Sequence, residues 1–407
     1  MRVAPPDPSP MRRPVRLVHV LTVPTTLLFF RGQVGYMKAR GFDLTFVASP
    51  GPELDAFGEQ EGVATVAVEM PRRISIGEDL VAVRRLVGEL RRVRPDVVHS
   101  HTPKGGLLGM IAAAVAGVPV RVYHMRGLAF LGATGARRAL LRATERVACR
   151  LAHRVICVSA SNKRVAVEEG LCPAAKIVVL SGGSSNGVDA EGRFNPDGPG
   201  TPTRTAARAA LGLPEGAPVV GFVGRVVRDK GLIELAGAWA TLRELYPEAH
   251  LLVAGPFERQ DPLPPAVERA LRDDPRVHAP GEVRDTPALF AAMDVLALPT
   301  YREGFPNVLL EAAAMRLPVV ATAVPGCTDA VEDGVTGLLV PPYRADALAD
   351  ALDRYLADPA LRRAHGDAAR ARVLASFRRE GIWEALHAEY ETLLGGWLQR
   401  SASPEPA

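Results

Sequence analysis

Short runs rich in Val, Ile and Leu, each closing on Gly, Ser or Thr, alternate along this chain with longer stretches of helical spacing. Apolar residues on successive rather than alternate positions are what a strand buried on both faces requires, as in parallel sheets covered by helices. The first half predicts strands over residues 15–23, 43–48, 64–68, 96–100, 118–123, 154–158 and 177–180. The second predicts them over 219–223, 250–254, 276–279, 295–298, 319–322 and 337–340. Strand followed by helix, repeated in both halves, predicts an α/β fold of two doubly wound Rossmann-like domains facing a cleft. Residues 181–203, rich in Gly, Ser, Asn and Pro and without periodicity, predict the linker. The domains are then 1–185 and 204–376, with a last helix over 377–400 crossing back to the first.

Length agrees with two lobes, since 407 residues exceed one ordinary core. The leader Ala4 to Pro10 and the tail Ser401 to Ala407 are polar or proline-rich ends; neither reads as a signal peptide. Residues 107–120, the longest apolar stretch, fall short of the roughly 20 needed to span a bilayer. Cys149, Cys157, Cys172 and Cys327 form no C-x-x-C pair and no metal-ligand spacing, which reads as reduced thiols of a cytoplasmic protein without a zinc site.

Charge changes the picture more. Residues 1–200 hold 27 Lys/Arg against 17 Asp/Glu, and the remainder 22 against 28, so a half at +10 adjoins one at −6. Arg84, Arg85, Arg91, Arg92 and Arg94, and again Arg137, Arg138, Arg142, Arg146 and Arg150, recur at helical spacing. They read either as a solvated surface or as a face for the phosphates of the cytoplasmic membrane. Nucleic acid is not expected, because aromatics do not interleave the charges.

Ligands of open α/β sheets sit beyond the carboxyl ends of strands, so chemistry is sought in the loops after the runs. After 219–223 come Gly224-Arg225 and then Lys230-Gly231 ahead of a helix, which is either a phosphate cradle or a turn with a solvated charge. After 295–298 comes Glu303-Gly304-Phe305-Pro306-Asn307, with Pro306 suited to a first helical turn. Gly304 and Phe305 would then offer free amides to an anion, with Glu303 just ahead to accept hydrogen bonds from hydroxyls. Glu311 follows within the helix among mostly apolar neighbours, a setting in which a carboxylate needs a partner. In the first half, His101 and Lys104 stand past a strand end before the Gly-rich helix start Gly105-Gly106, and His99 reads as core.

Glu303 to Glu311 resembles the E-x7-E element of family 4 glycosyltransferases, and Gly224-Arg225 with Lys230-Gly231 resembles their phosphate-binding pair. Gly281-Glu282-Val283, Pro325-Gly326-Cys327 and the stretch from Gly334 to Val340 extend the resemblance over most of the second half. It implies the GT-B architecture and transfer of a hexose or N-acetylhexosamine from a nucleotide-diphosphate sugar, UDP-linked, with retention of anomeric configuration. Arg225 and Lys230 would hold the diphosphate, Glu303 and the amides after it the sugar, Glu311 the ribose, and Val283 the base. No D-x-D triplet occurs, which agrees with metal-independent transfer; no cofactor is implied. Gly32 sits where similar enzymes bring a glycine loop to the donor phosphates, although two glycines usually stand there.

The segment from His99 to Gly109, Arg126-Gly127 and the stretch Gly183 to Asp189 are similar to bacterial capsule and exopolysaccharide enzymes acting on lipid-diphosphate-linked saccharides. That assigns His101 and Lys104 to the acceptor. Where many family members carry His-Gly, this chain has Arg126-Gly127, with His124 two positions earlier. Arg126 supplying fixed charge is the reading preferred, with His124 as the substitute. Two other classes compete: a nucleotide-sugar 2-epimerase, which needs no acceptor, and a noncatalytic nucleotide-binding subunit, which would lose part of the set Arg225, Lys230, Glu303 and Glu311.

Overall fold

The computed structural model describes residues 13–402 apart from Arg72, Arg259, Gln260 and Arg284; the leader and the end of the tail lie outside them. Every predicted apolar run forms a strand. Parallel strands β1 (Val15–Val20), β2 (Phe42–Ala48), β3 (Ala64–Ala67), β4 (Val97–His101), β5 (Val120–Met125), β6 (Arg154–Cys157) and β7 (Ile177–Val178) make one sheet in the order β3-β2-β1-β4-β5-β6-β7. A second holds β8 (Val219–Val223), β9 (His250–Ala254), β10 (Val277–Gly281), β11 (Val295–Leu298), β12 (Val319–Thr322) and β13 (Gly337–Val340), in the order β10-β9-β8-β11-β12-β13. Both are doubly wound: the order reverses between β1 and β4 in one and between β8 and β11 in the other, and crevices open at such points.

Proline explains the main shifts of boundary. The first strand stops at Val20 rather than at 23, and residues 21–23 lead instead into a 3-10 turn, Pro24–Phe30, with Pro24 at its first position. Pro119 has no N–H for the ladder, so β5 begins at Val120 and runs on to Met125, leaving Arg126 directly at its carboxyl end.

The central strands of each sheet are buried on both faces, while the edge strands β3 and β10 are partly exposed. Val219, Val220 and Phe222, with Val295, Leu296 and Leu298, lie in the core of the second domain. In the first, the final helix Arg379–Ala402 supplies part of the core, because Leu386 and Tyr390 pack with Leu17, Phe46 and Val97. It is held by Tyr390, whose hydroxyl lies 2.6 Å from His99 Nδ1, and by the Arg154–Glu389 ion pair. All four cysteines are buried free thiols. Among the described residues no helix is long and apolar enough to cross a membrane.

Candidate active site

The loops after β8 and β11, neighbours at the reversal point of the second sheet, are knit together by one aspartate. Asp229 pairs through its carboxylate with Arg302 at 2.7 Å, while its carbonyl accepts from the Tyr301 amide at 3.0 Å and from the Thr300 hydroxyl at 3.2 Å. Gly231 lets this happen: its φ is +72°, and a Cβ there would overlap the Pro299 carbonyl. Lys230 is thereby placed at the mouth of the helix Asn307–Ala314, where its ammonium donates to the Glu303 carboxylate. The two residues are 73 positions apart in sequence, and both side chains are largely buried.

Pro306 is the N-cap rather than the first helical residue, so Gly304 and Phe305 precede the helix as loop residues. Glu311 is half-buried within the helix, and desolvation raises its pKa to about 7 against the opposing pull of Arg193. Arg225 is half-exposed and paired with Glu258 of the loop after β9, at 2.8 Å. Val283 packs against the second-domain core beside β10.

The first domain meets this mouth with its own strand ends. A Cβ at Gly304 would overlap the Arg126 carbonyl, so glycine here permits the backbones of the two domains to touch. The hydroxyl of Ser184, a residue with φ of +76°, donates to Asn307 Oδ1 at 2.9 Å. Ser159, Ser161 and Asn162, at the start of the helix Ala160–Glu168, reach the second domain as well: Ser161 donates its amide to Asp329 at 3.0 Å. None of these three was singled out from the sequence, although they follow β6, which ends at Cys157, and so lie where ligand loops are sought.

Four histidines gather at the reversal point of the first sheet. His19, His99, His101 and His124 are buried, and Arg126 runs alongside them. Arg126 can only donate, so His101 Nδ1, at 3.3 and 3.4 Å from its guanidinium, must accept. His101 then carries its proton on Nε2 and donates to His19 Nδ1 at 2.9 Å. Burial first, then the neighbouring positive groups, holds His101 and His124 well below the usual imidazole range and His19 at about 3, so all are neutral. Burial also lowers Arg126 to about 10. Ring nitrogens of His19, His99 and His101 lie within 4.8 Å of one another, a spacing that would hold a metal ion. The Arg126 guanidinium beside them places a fixed positive charge against any cation.

The other residues named from sequence on this side are engaged within the protein. His101 and His124 are almost wholly enclosed, and Lys104 is committed to Asp79 at 2.6 Å. Gly32 has φ of +79°, and a Cβ there would come 2.7 Å from the indole of Trp383 on the final helix. Packing thus accounts for glycine at that position.

Two doubly wound sheets with their strand ends facing, and a Lys–Glu pair at a helix mouth between them, can be set beside known proteins. Residues 28–183 match the family described as "Glycosyl transferase 4-like domain" and residues 217–358 "Glycosyl transferases group 1". The capsular polysaccharide biosynthesis glycosyltransferase CapM of Staphylococcus aureus is 32% identical over 93% of this chain and 97% of its own. The chain belongs to the family 4 glycosyltransferases. This glycosyltransferase is also 28% identical, over 79% of its length and 81% of the other's, to the Escherichia coli UDP-Gal:alpha-D-GlcNAc-diphosphoundecaprenol alpha-1,3-galactosyltransferase. Its fold matches that of Anabaena HepE, solved in complex with UDP, at a TM-score of 0.75 and 21% identity over 93% of this chain and all of that one.

Proposed function

We propose that this glycosyltransferase moves a hexose or N-acetylhexosamine from a UDP-sugar to a polyprenyl-diphosphate-linked saccharide in surface polysaccharide biosynthesis, with retention and without a metal. The Lys230–Glu303 contact at the mouth of the helix Asn307–Ala314 carries this reading. It joins a cation suited to a diphosphate with an acceptor suited to sugar hydroxyls. The name of the undecaprenol relative supports the acceptor class, that of the capsular relative supports polysaccharide biosynthesis, and the UDP complex of the structural neighbour supports the nucleotide.

In this scheme Lys230 and Arg225 balance the leaving diphosphate, Arg225 exchanging Glu258 for phosphate, with Gly224 allowing the backbone to approach. The Gly304 and Phe305 amides, ahead of Pro306 and Asn307, receive the anionic end of the donor. Glu303 orients the sugar, Glu311 the ribose, and Val283 lies by the base. The bond from the anomeric carbon to the phosphate oxygen breaks on the face where the acceptor oxygen bonds, and the departing phosphate takes the acceptor proton. Arg126 stabilises that departing charge, while Gly32 lies at the phosphate approach. His101 and Lys104 shape the acceptor side from within, through Arg126 and Asp79, and His124 packs its ring against His99 and His101.

The acceptor's lipid calls for docking on an anionic membrane face. Ile74, Ile76, Leu80 and Val81 are all more than half exposed around the start of the helix Ile76–Val93, which continues into exposed Arg84, Arg85, Arg91 and Arg92.

The test is transfer from a panel of UDP-sugars to an undecaprenyl-diphosphate saccharide followed by mass spectrometry. Lys230→Ala and Glu303→Ala should each lower kcat/KM by about 100-fold or more, as loss of a charged transition-state contact does. Sugar conversion without acceptor, or full activity in both variants, overturns the proposal.

A further inference from the structure

The loop that carries Glu303 belongs to the second domain, yet its backbone is gripped by the first. Asn162 is fully buried in the first turn of the helix Ala160–Glu168, behind the N-cap Ser159. Its Nδ2 donates to the Gly304 carbonyl at 2.7 Å and to the Glu303 carbonyl at 3.2 Å. The Ser159 hydroxyl, itself 2.7 Å from Asn162 Nδ2, donates to the Gly304 carbonyl at 3.0 Å.

Peptide units are planar and trans, so the N–H of each unit points opposite to its C=O. The Glu303 carbonyl shares a unit with the Gly304 amide, and the Gly304 carbonyl with the Phe305 amide. Drawing both carbonyls toward Asn162 turns both amides to the opposite side of the loop. The orientation of Asn162 is dictated by these partners, because a carbonyl oxygen can only accept and the amide group must face it with nitrogen. Asn162 Oδ1 is left buried without a partner, an unfavourable arrangement that the grip on the loop enforces.

We infer that Asn162 is a positioning residue for the donor: from the first domain it sets the direction of the two second-domain amides that receive the donor's anionic end. The donor site is therefore complete only while the domains are in contact. This rests on the proposed reading of those amides as the phosphate-binding groups.

Ser161 provides the control, because it bridges the same interface to Asp329 and to the Gly326 amide at 2.8 Å but touches neither carbonyl. UDP affinity is measured by calorimetry on the full chain, with KM and kcat for donor and acceptor alongside. Asn162→Asp keeps the shape and replaces the donor group by a carboxylate that repels both carbonyls. It should weaken UDP by about tenfold or more and raise donor KM, with acceptor KM unchanged. Asn162→Ala, which frees the carbonyls without repelling them, should show the same pattern to a smaller extent and serves if the aspartate variant does not fold. Ser161→Ala should leave UDP affinity within about twofold of wild type. Folded Asn162 variants that bind UDP like wild type overturn the inference, as does an equal loss in Ser161→Ala. Lys230→Ala separates the two levels: if it also binds UDP like wild type, the donor-site reading itself fails and the inference falls with it.

Discussion

At the scale of single residues, two carboxyls with the same shift serve to separate packing from binding. Burial raises both Glu311 and Glu145 from 4.5 to about 7. Glu145 accepts from the Tyr123 hydroxyl at 2.7 Å in the first-domain core, whereas Glu311 sits in the helix that opens at the Lys230–Glu303 pair. A carboxyl whose folded pKa lies above its unfolded value favours the protonated state. Its cost to stability is absent below about 4.5, grows as pH rises toward 7, and is then full at about 3 kcal/mol. Glu145→Gln and Glu311→Gln should therefore both raise the unfolding midpoint at pH 8 and leave it nearly unchanged at pH 4. UDP binding should part them. Ribose hydroxyls would replace lost water around an ionised Glu311, so wild-type UDP affinity should rise with pH through 7 more steeply than the second ionisation of the terminal phosphate alone would make it; Glu311→Gln should reduce the slope to that of the phosphate and Glu145→Gln should not. A slope left unchanged by Glu311→Gln removes Glu311 from the nucleotide site.

Elements were legible wherever burial on both faces wrote itself as a continuous apolar run; the central strands and the two-sheet fold follow from that, and the partly exposed edge strands β3 and β10 from shorter runs in the same rhythm. Strand ends were less legible, since Pro119 acts through its missing N–H and Pro24 through the turn it opens rather than through hydrophobicity. Glu303 and Lys230 could be picked out because each lies in a loop directly after such a run. Asn162 could not, because its partners are backbone carbonyls 141 and 142 positions away and carry no side-chain signature. The histidine cluster was hidden for a related reason. His99 and His101 share a face as i and i+2, but their company with His19 and Tyr390 depends on strand order and on the final helix. That helix gives an element-scale prediction. Tyr390→Phe leaves His99 Nδ1 unpaired beside an Nε2 already without a partner, at a cost of about 1–3 kcal/mol. Gly32→Ala combines a positive φ with collision against Trp383 and should cost about as much. In urea unfolding, both losses should appear in the transition of the first domain, followed by Trp383 and Trp397 fluorescence. A variant that instead moves the transition of the second domain, reported by Trp239, would show that the final helix does not stabilise the first.

At the scale of the whole molecule, charge and apolar exposure are distributed together. The positive half is the one whose helix Ile76–Val93 starts among exposed Ile74, Ile76, Leu80 and Val81, and Lys104 ties that start to the carboxyl edge of the first sheet through Asp79 and the Arg73 carbonyl. Anchoring at that edge would bring the glycan of a lipid-linked acceptor to the cleft without drawing its polyprenyl chain out of the bilayer. The physical terms are separable: a fully buried aliphatic side chain contributes roughly 1.5–3 kcal/mol, and each basic residue near an anionic surface about 1 kcal/mol. Binding to vesicles of phosphatidylglycerol should therefore exceed binding to phosphatidylcholine and weaken with salt. Replacing Ile74, Ile76 and Leu80 together by Ser should lower partitioning by about tenfold or more even at low salt. Leu245→Ser, which removes an equally exposed apolar side chain from the negative half, should change nothing. Transfer to a short-chain, water-soluble acceptor should persist in the triple variant while transfer to the membrane-borne one falls. Equal partitioning of the triple variant and wild type would assign the apolar rim to some role other than docking on lipid, and leave the arginines as a solvated surface.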